Sequence, residues 1–280
     1  MVWRYFSCHS QYGATSMSIN RLRVVITGAS GGIGRALIRA MQPHIDLIIL
    51  NGLDQQSLEQ VRDELALKNC HIIAGDVLDP EVRQNIYTMA EAMGGINLLL
   101  NNAGMNDFDS FEHQSDEIIT NLINVNLTAP MLLTKKLLPL LKDNPSQIIN
   151  TGSIFGYLGF PGFVGYCSSK FGLKGFAQSL RRELSDTTVS VRYFAPRATR
   201  TPFNNSRVEQ LNTATHTAMD SPEQVAQAFI KFLFKTSWQK RLGFKEHFFT
   251  IVNDLFPAVT DRAIHQQLPI IKKYLSKKDL

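Results

Sequence analysis

The chain has 280 residues, a formal charge of +5 and 44% apolar residues. It holds enough apolar side chains for a full core, which excludes wholesale disorder and a small disulfide-stapled scaffold. No run of roughly 18 uncharged apolar residues occurs, so no spanning helix is expected. Cys8, Cys70 and Cys167 are too few and too scattered for a disulfide framework or a metal cluster. They fit a reducing compartment, the cytoplasm, and no metal is expected.

The surplus positive charge lies in the tail, where residues 231–280 hold ten Lys and Arg against four Asp and Glu. Basic residues are not interleaved with stacking aromatics along one stretch, so nucleic acid is not an expected partner. Residues 1–21 lack the apolar core of a secretory signal and read as a disordered extension.

In chain order, residues 23–28 form a short β-branched run that ends in glycine. It is followed by a helical pattern at Ile33, Leu37, Ile38 and Met41. The unit recurs: a strand at 45–50 with a helix through Leu58, Val61 and Leu65, then a strand at 71–74 with a helix over 80–93, then a strand at 96–100. Asp79 as N-cap, Pro80 at the first helical position and Gly94 past the last turn delimit the third helix. Further on come a helical stretch over 115–141, a strand at 147–150, a helix over 166–184 and a strand at 189–194.

Strands that are apolar at consecutive positions imply a parallel sheet buried between two helical layers. The expected fold is therefore α/β, a doubly wound, Rossmann-like parallel sheet in a single domain over residues 22–222. Residues 223–280 read as a helical, basic and amphipathic extension packed on that domain. Ligands of such sheets sit beyond the carboxyl ends of the strands.

Between the first strand and the first helix runs Thr27-Gly28-Ala29-Ser30-Gly31-Gly32-Ile33-Gly34. Glycine permits a positive φ in the turn, and a side chain at Gly32 or Gly34 would keep a pyrophosphate away from the backbone amides. The helix N-terminus adds oriented N–H groups and partial positive charge. Placed after the first strand of a repeating β-α chain, the turn reads as a dinucleotide site.

The spacing of Gly28, Gly32 and Gly34 resembles the T-G-x-x-x-G-x-G fingerprint of the short-chain dehydrogenases/reductases. Further marks of that family follow in order: Asp76-Val77, Asn101-Asn102-Ala103-Gly104, Asn126, Ser153, and Tyr166 with Lys170. The likeness covers roughly residues 22–205. It implies a nicotinamide cofactor held by Gly28, Ser30, Gly31, Gly32, Ile33, Gly34, Asp76, Val77, Asn102, Ala103 and Gly104, together with Tyr166, Lys170, Pro196 and Thr201. It also implies a homodimer or homotetramer. The glycine usual after that proline is replaced by Arg197.

Tyr166 and Lys170 are four apart on one helix and share a face. A nearby ammonium favours an ionised phenol, so Lys170 is expected to lower the pKa of Tyr166. Ser153 leaves a strand end, where the sheet would set its hydroxyl beside that face. By resemblance, Tyr166 gives a proton to a substrate carbonyl oxygen while Ser153 hydrogen-bonds it. Pro130 has no N–H to give the Asn126 carbonyl, so the helix is expected to open there. The family uses that carbonyl to hold a water of the proton relay. The expected catalytic set is Asn126, Ser153, Tyr166 and Lys170.

Aligned with the family, Gly52 stands where NAD-binding members carry a ribose-binding carboxylate, and Leu53 follows it. The missing carboxylate tilts the NAD(P) choice towards NADP(H), with Arg35 or Asn51 beside the extra phosphate. No charge occurs between Ser153 and Tyr166. Phe155, Phe160 and Phe163 should wall the substrate side, so an apolar carbonyl is the expected small-molecule partner. Core packing is the alternative account of these rings. The polar stretch 204–220 reads as a lid.

Two accounts of the tail stand open. It packs on the domain or on a neighbouring subunit, or it rests on anionic lipid as a peripheral membrane contact. A nucleotide-sugar epimerase or dehydratase and a non-catalytic dinucleotide sensor are the rival functions. Too little chain follows Tyr166 for the first, and the second would have lost a catalytic side chain.

Overall fold

A computed structural model describes residues 21–275, so the expected extension at 1–21 lies outside the described residues except for Arg21. Among the described residues seven strands form one sheet: β1 (Leu22–Ile26), β2 (Ile45–Gly52), β3 (Cys70–Ala74), β4 (Leu98–Asn101), β5 (Ser146–Thr151), β6 (Val189–Ala195) and β7 (Gln239–Arg241). Every pairing is parallel, in the order β3-β2-β1-β4-β5-β6-β7. The expected doubly wound sheet is present. Its winding reverses between β1 and β4, which opens a crevice beyond their carboxyl ends.

The α-helices that connect and cover the sheet are α1 (Gly32–Met41), α2 (Gln55–Glu64), α3 (Pro80–Ala92), α4 (Asp116–Ile123), α5 (Ala129–Lys142), α6 (Val164–Glu183), α7 (Ser206–Ala214), α8 (Pro222–Leu233), α9 (Phe244–Leu255) and α10 (Pro257–Leu275). Alternate residues of one strand serve opposite layers. Val24 and Ile26 pack with Leu37 and Ile38 of α1 and Phe229 of α8, whereas Val25 packs with Ile86 of α3 and Leu133 of α5. With water excluded from both faces, the consecutive positions Val24, Val25 and Ile26 are all apolar.

Three features refine the sequence expectation. Residues 115–141 are two helices joined by one turn of π-helix at Asn124–Thr128, where the Ala129 N–H bonds to the Asn124 carbonyl. Pro130 cannot supply the i→i+4 bond, and the wider turn takes up the mismatch. The 204–220 stretch, expected as a polar lid, is in part helical. It contains α7, capped by Asn205 through the Val208 N–H, with Val208 and Leu211 buried against Phe108 and Ile271. Two apolar residues among Thr and Asn were too faint a pattern to read.

Residues 222–241, expected within an extension packed on the domain, add a helix and a strand to its core. Phe229 and Phe232 of α8 pack on Phe194, and β7 extends β6. Among the described residues no helix is long and apolar enough to cross a membrane.

Candidate active site

The glycine turn is tied to the loop after β4 by a threonine that the fingerprint contains. Thr27 Oγ1 accepts the N–H groups of Asn102 and Ala103 at 3.1 and 3.0 Å, while the Asn102 amide donates to the carbonyls of Thr27 and Gly28. Gly28 sits at φ +63°, and a Cβ there would lie 2.8 Å from Ala103 Cα. Helix α1 starts on Gly31, with no side-chain cap and no acidic residue in its first turn. Its leading N–H groups therefore have no protein carboxylate to neutralise, as a pyrophosphate site requires.

A cavity of about 740 Å³ lies along this turn and continues past β5 and β6. Gly28, Ser30, Gly31, Gly32, Ile33 and Gly34 line it, with Ala103 and Thr201 packed close to the turn. Asn102, Gly104 and Pro196 line it as well. So do Ser153, Tyr166, Lys170, Phe155, Phe160 and Phe163. The sequence-predicted residues are thus brought together, with three exceptions. Asp76 and Val77 are not in the cavity wall: the Asp76 carboxylate accepts the Leu78 N–H, and Val77 is buried in the α3 layer. Asn126 is fully buried behind the wall.

Asn126 is nevertheless part of the assembly. Its amide donates to Met105 O and Ser169 Oγ, and its Oδ1 accepts the Met105 N–H. A Cβ on Gly104 would stand 3.0 Å from that oxygen and 3.5 Å from Lys170 Nζ, so the three elements converge.

Ser153 ends β5 and caps a short 3₁₀ turn, its hydroxyl accepting the Phe155 N–H at 3.1 Å. The same hydroxyl faces the Tyr166 phenol closely enough to favour its ionised form. One turn along α6, Lys170 Nζ donates to Thr151 O at 3.1 Å and lies 5.7 Å from the centre of the Tyr166 ring. The electrostatics reverse the expectation for the phenol. Burial holds Tyr166 well above its ordinary value, and the Ser153 hydroxyl opposes this only in part. Lys170 is itself pushed down to about 8 by burial. A low-dielectric site penalises every charged form, and that cost outweighs the attraction an exposed pair would show.

Both candidates for a 2′-phosphate contact already have protein partners. The Asn51 amide donates to Ile73 O and Gly75 O, and Arg35 donates to Ser30 O and forms an ion pair with Glu64. Leu53, next to Gly52, is exposed. The expected lid at 204–220 contributes Val208 and Leu211 to the cavity wall, whereas Phe203, Lys245 and Phe249 are lining residues that sequence reasoning missed. Also missed was the Thr151 carbonyl that holds Lys170, because a backbone oxygen leaves no mark in a sequence.

Parallel sheet, glycine turn and buried Tyr-Lys pair together define an oxidoreductase that works with a dinucleotide. The family model described as short chain dehydrogenase matches residues 23–212, and the chain belongs to that family. It is 33% identical to Nodulation protein G of Rhizobium sp. (strain N33) over 176 residues, 62% of this chain and 71% of that protein. It is 28% identical to the 3-oxoacyl-acyl-carrier-protein reductase FabG of Vibrio cholerae over 201 residues, 71% of this chain and 82% of that protein.

Among solved structures, a short chain dehydrogenase from Burkholderia cenocepacia in complex with NADP has a TM-score of 0.77 at 19% identity, covering 89% of this chain and 99% of that chain. An alcohol dehydrogenase from Thermococcus sibiricus complexed with 5-hydroxy-NADP has a TM-score of 0.70 at 23% identity, covering 79% and 96%. The protein is an NAD(P)-dependent oxidoreductase that acts on small molecules.

Proposed function

We propose that the protein reduces apolar, lipid-like ketones, including 3-oxoacyl and steroid-like carbonyls, or oxidises the matching alcohols, and that it prefers NADP(H). The observation that carries this reading is a buried Tyr166 facing an aromatic wall. Phe155 stacks on Phe160 at 5.3 Å, Phe163 lies 5.1 Å from Phe155, and Tyr166 is edge-on to both Phe155 and Phe163 at 6.3 Å. Rings that form a contiguous wall favour an apolar substrate over a sugar or an anion. The reductase relatives support the 3-oxoacyl class. Gly52 in place of a carboxylate, and solved relatives that hold NADP, support the cofactor preference.

When bound, the nicotinamide supplies or accepts the hydride. The chain's own groups handle the proton. Burial keeps the Tyr166 phenol protonated, so its Oη carries the proton that a carbonyl oxygen takes as it gains negative charge. The Ser153 hydroxyl, beside that phenol in the cavity wall, hydrogen-bonds the same oxygen. The Lys170 ammonium, anchored by Thr151 O, lies where it eases the charge left on Tyr166 once the proton has gone. The Asn126 side chain fixes the loop before α4 against α6 through Met105 and Ser169, with its carbonyl in the π turn assigned to the proton relay.

A panel of 3-oxoacyl thioesters, steroid ketones and a sugar ketose, each with NADPH and NADH and followed at the nicotinamide absorbance, tests the reading. Apolar ketones are expected to turn over, with higher kcat/KM for NADPH. Tight cofactor binding with no turnover of any ketone would replace it with a non-catalytic sensor.

The tail supports a second part of the proposal: peripheral contact with anionic membrane by an assembly of two or four copies. Phe244, Phe248, Ile251 and Leu255 form one stripe on α9, with Phe244 88%, Phe248 61% and Leu255 66% exposed. An exposed apolar stripe on a helix of a basic tail is the pattern of an interfacial helix. Full-length protein is expected to float with vesicles containing phosphatidylserine, and a Phe244→Ser/Phe248→Ser variant to stay behind. Equal behaviour of the two proteins would remove the membrane contact.

A further inference from the structure

Arg197 follows Pro196 at the end of β6, where the family resemblance leads to glycine. Its guanidinium pairs with two parts of the cover. Nη2 donates to Asp220 Oδ1 at 2.6 Å, and Nη1 donates to the two oxygens of Glu246 at 3.3 and 3.4 Å. All three side chains are largely buried, at 23%, 13% and 22% exposure for Arg197, Asp220 and Glu246. With two carboxylates upon it, the guanidinium has no surplus charge for an anionic substrate.

Asp220 closes an excursion of the chain that leaves β6 and returns to it. The Asp220 N–H donates to Ala198 O, the Asp220 carbonyl accepts the Arg200 N–H, and residues 199 and 220 form a parallel bridge. Between these pinned ends lie Thr201, Phe203, Val208 and Leu211, all in the cavity wall. Glu246 stands in the first turn of α9, whose Lys245 and Phe249 also line the cavity. Gly243, at φ +82°, precedes α9; a Cβ there would collide with the Glu246 carboxylate and come within 2.9 Å of Arg197 Cδ. The glycine therefore makes room for the ion pair as well as for the turn.

We propose that Arg197 is a positioning residue that latches the 199–220 flap and α9 to each other over the cavity, so that the two covers move as one unit and set the affinity for the apolar part of the substrate. The latch rests on the preceding functional reading only for the choice of substrate. Charge-assisted hydrogen bonds to a planar guanidinium are directional, and one group bonded to two elements couples their opening.

Hydrogen exchange of the full chain measures the latch without any substrate. In Arg197→Met, amide exchange in residues 201–218 and 244–255 is expected to rise together by about tenfold, with α6 unchanged. KM for an apolar ketone should rise by about tenfold with kcat nearly constant, the signature of lost uniform binding. Arg197→Lys should restore part of both effects. Glu246→Gln should release 244–255 alone, and it supplies the decision if Arg197→Met does not fold.

Wild-type exchange in both segments of Arg197→Met overturns the latch, as does a rise confined to one of them or a kcat loss with KM unmoved. Unchanged exchange in Glu246→Gln counts against it equally. If the parent enzyme turns over no ketone, the functional reading fails and exchange alone still decides the latch.

Discussion

Replacing Tyr166 with Phe is expected to lower kcat and kcat/KM for ketone reduction equally, by about 10²–10⁴, while cofactor binding stays near the parent value. The substitution keeps the ring, its edge contacts with Phe155 and Phe163 and its place in the small core under the cover, and removes only the hydroxyl. Removing one hydroxyl should cost no more than about 1 kcal/mol of stability, too little to unfold the chain. Steady-state kinetics beside a cofactor titration by fluorescence quenching check this. A Tyr166→Phe enzyme as fast as the parent would remove Tyr166 from the chemistry and the functional proposal with it.

Lys170→Met should make the protein more stable and much less active. Lys170 is 4% exposed, and its ammonium donates to Thr151 O. Burial brings its pKa from the ordinary 10.5 down to about 8. Below pH 8 both folded and unfolded chains hold the proton, and the folded chain bears the full cost of the buried charge. Between pH 8 and 10.5 the unfolded chain binds more protons, so this residue's contribution to stability rises with pH and its cost is gone above 10.5.

Met fills a similar volume without charge, and replacing buried charge with apolar atoms typically gains about 1–4 kcal/mol. The contact with the Tyr166 ring offsets only part of this, about 0.5–2 kcal/mol. Urea midpoints at pH 7 and pH 10 should show a gain that shrinks at the higher pH, with kcat down by roughly 10² or more. A destabilised variant whose difference from the parent does not change with pH would show that the ammonium is not under strain. If the prediction holds, the site keeps a destabilising cation for its function.

The cover of the cavity was the least legible part of the chain. Helix α7 carries two buried apolar residues among Thr and Asn, below what periodicity resolves. Helix α8 and strand β7 looked like the start of an appended tail, because a three-residue strand of Gln, Lys and Arg has no β signature of its own and exists through its pairing with β6. Asp76, Val77 and Asn126 were named from ordered motifs, yet they stand outside the cavity wall. A motif gives position in the chain, and the wall is decided by which way each side chain turns.

By itself, the amino-acid order determined the alternation of strands and helices, the glycine turn and the four-residue spacing of Tyr166 and Lys170. Each of these is set by dihedral preferences and periodicities acting over a few neighbours. Only the tertiary structure decided that burial raises the phenol instead of a lysine lowering it, and that Arg197 pairs with carboxylates 23 and 49 residues away. Those outcomes depend on desolvation and on contacts between distant segments, which arise when the chain closes around the cavity and excludes water.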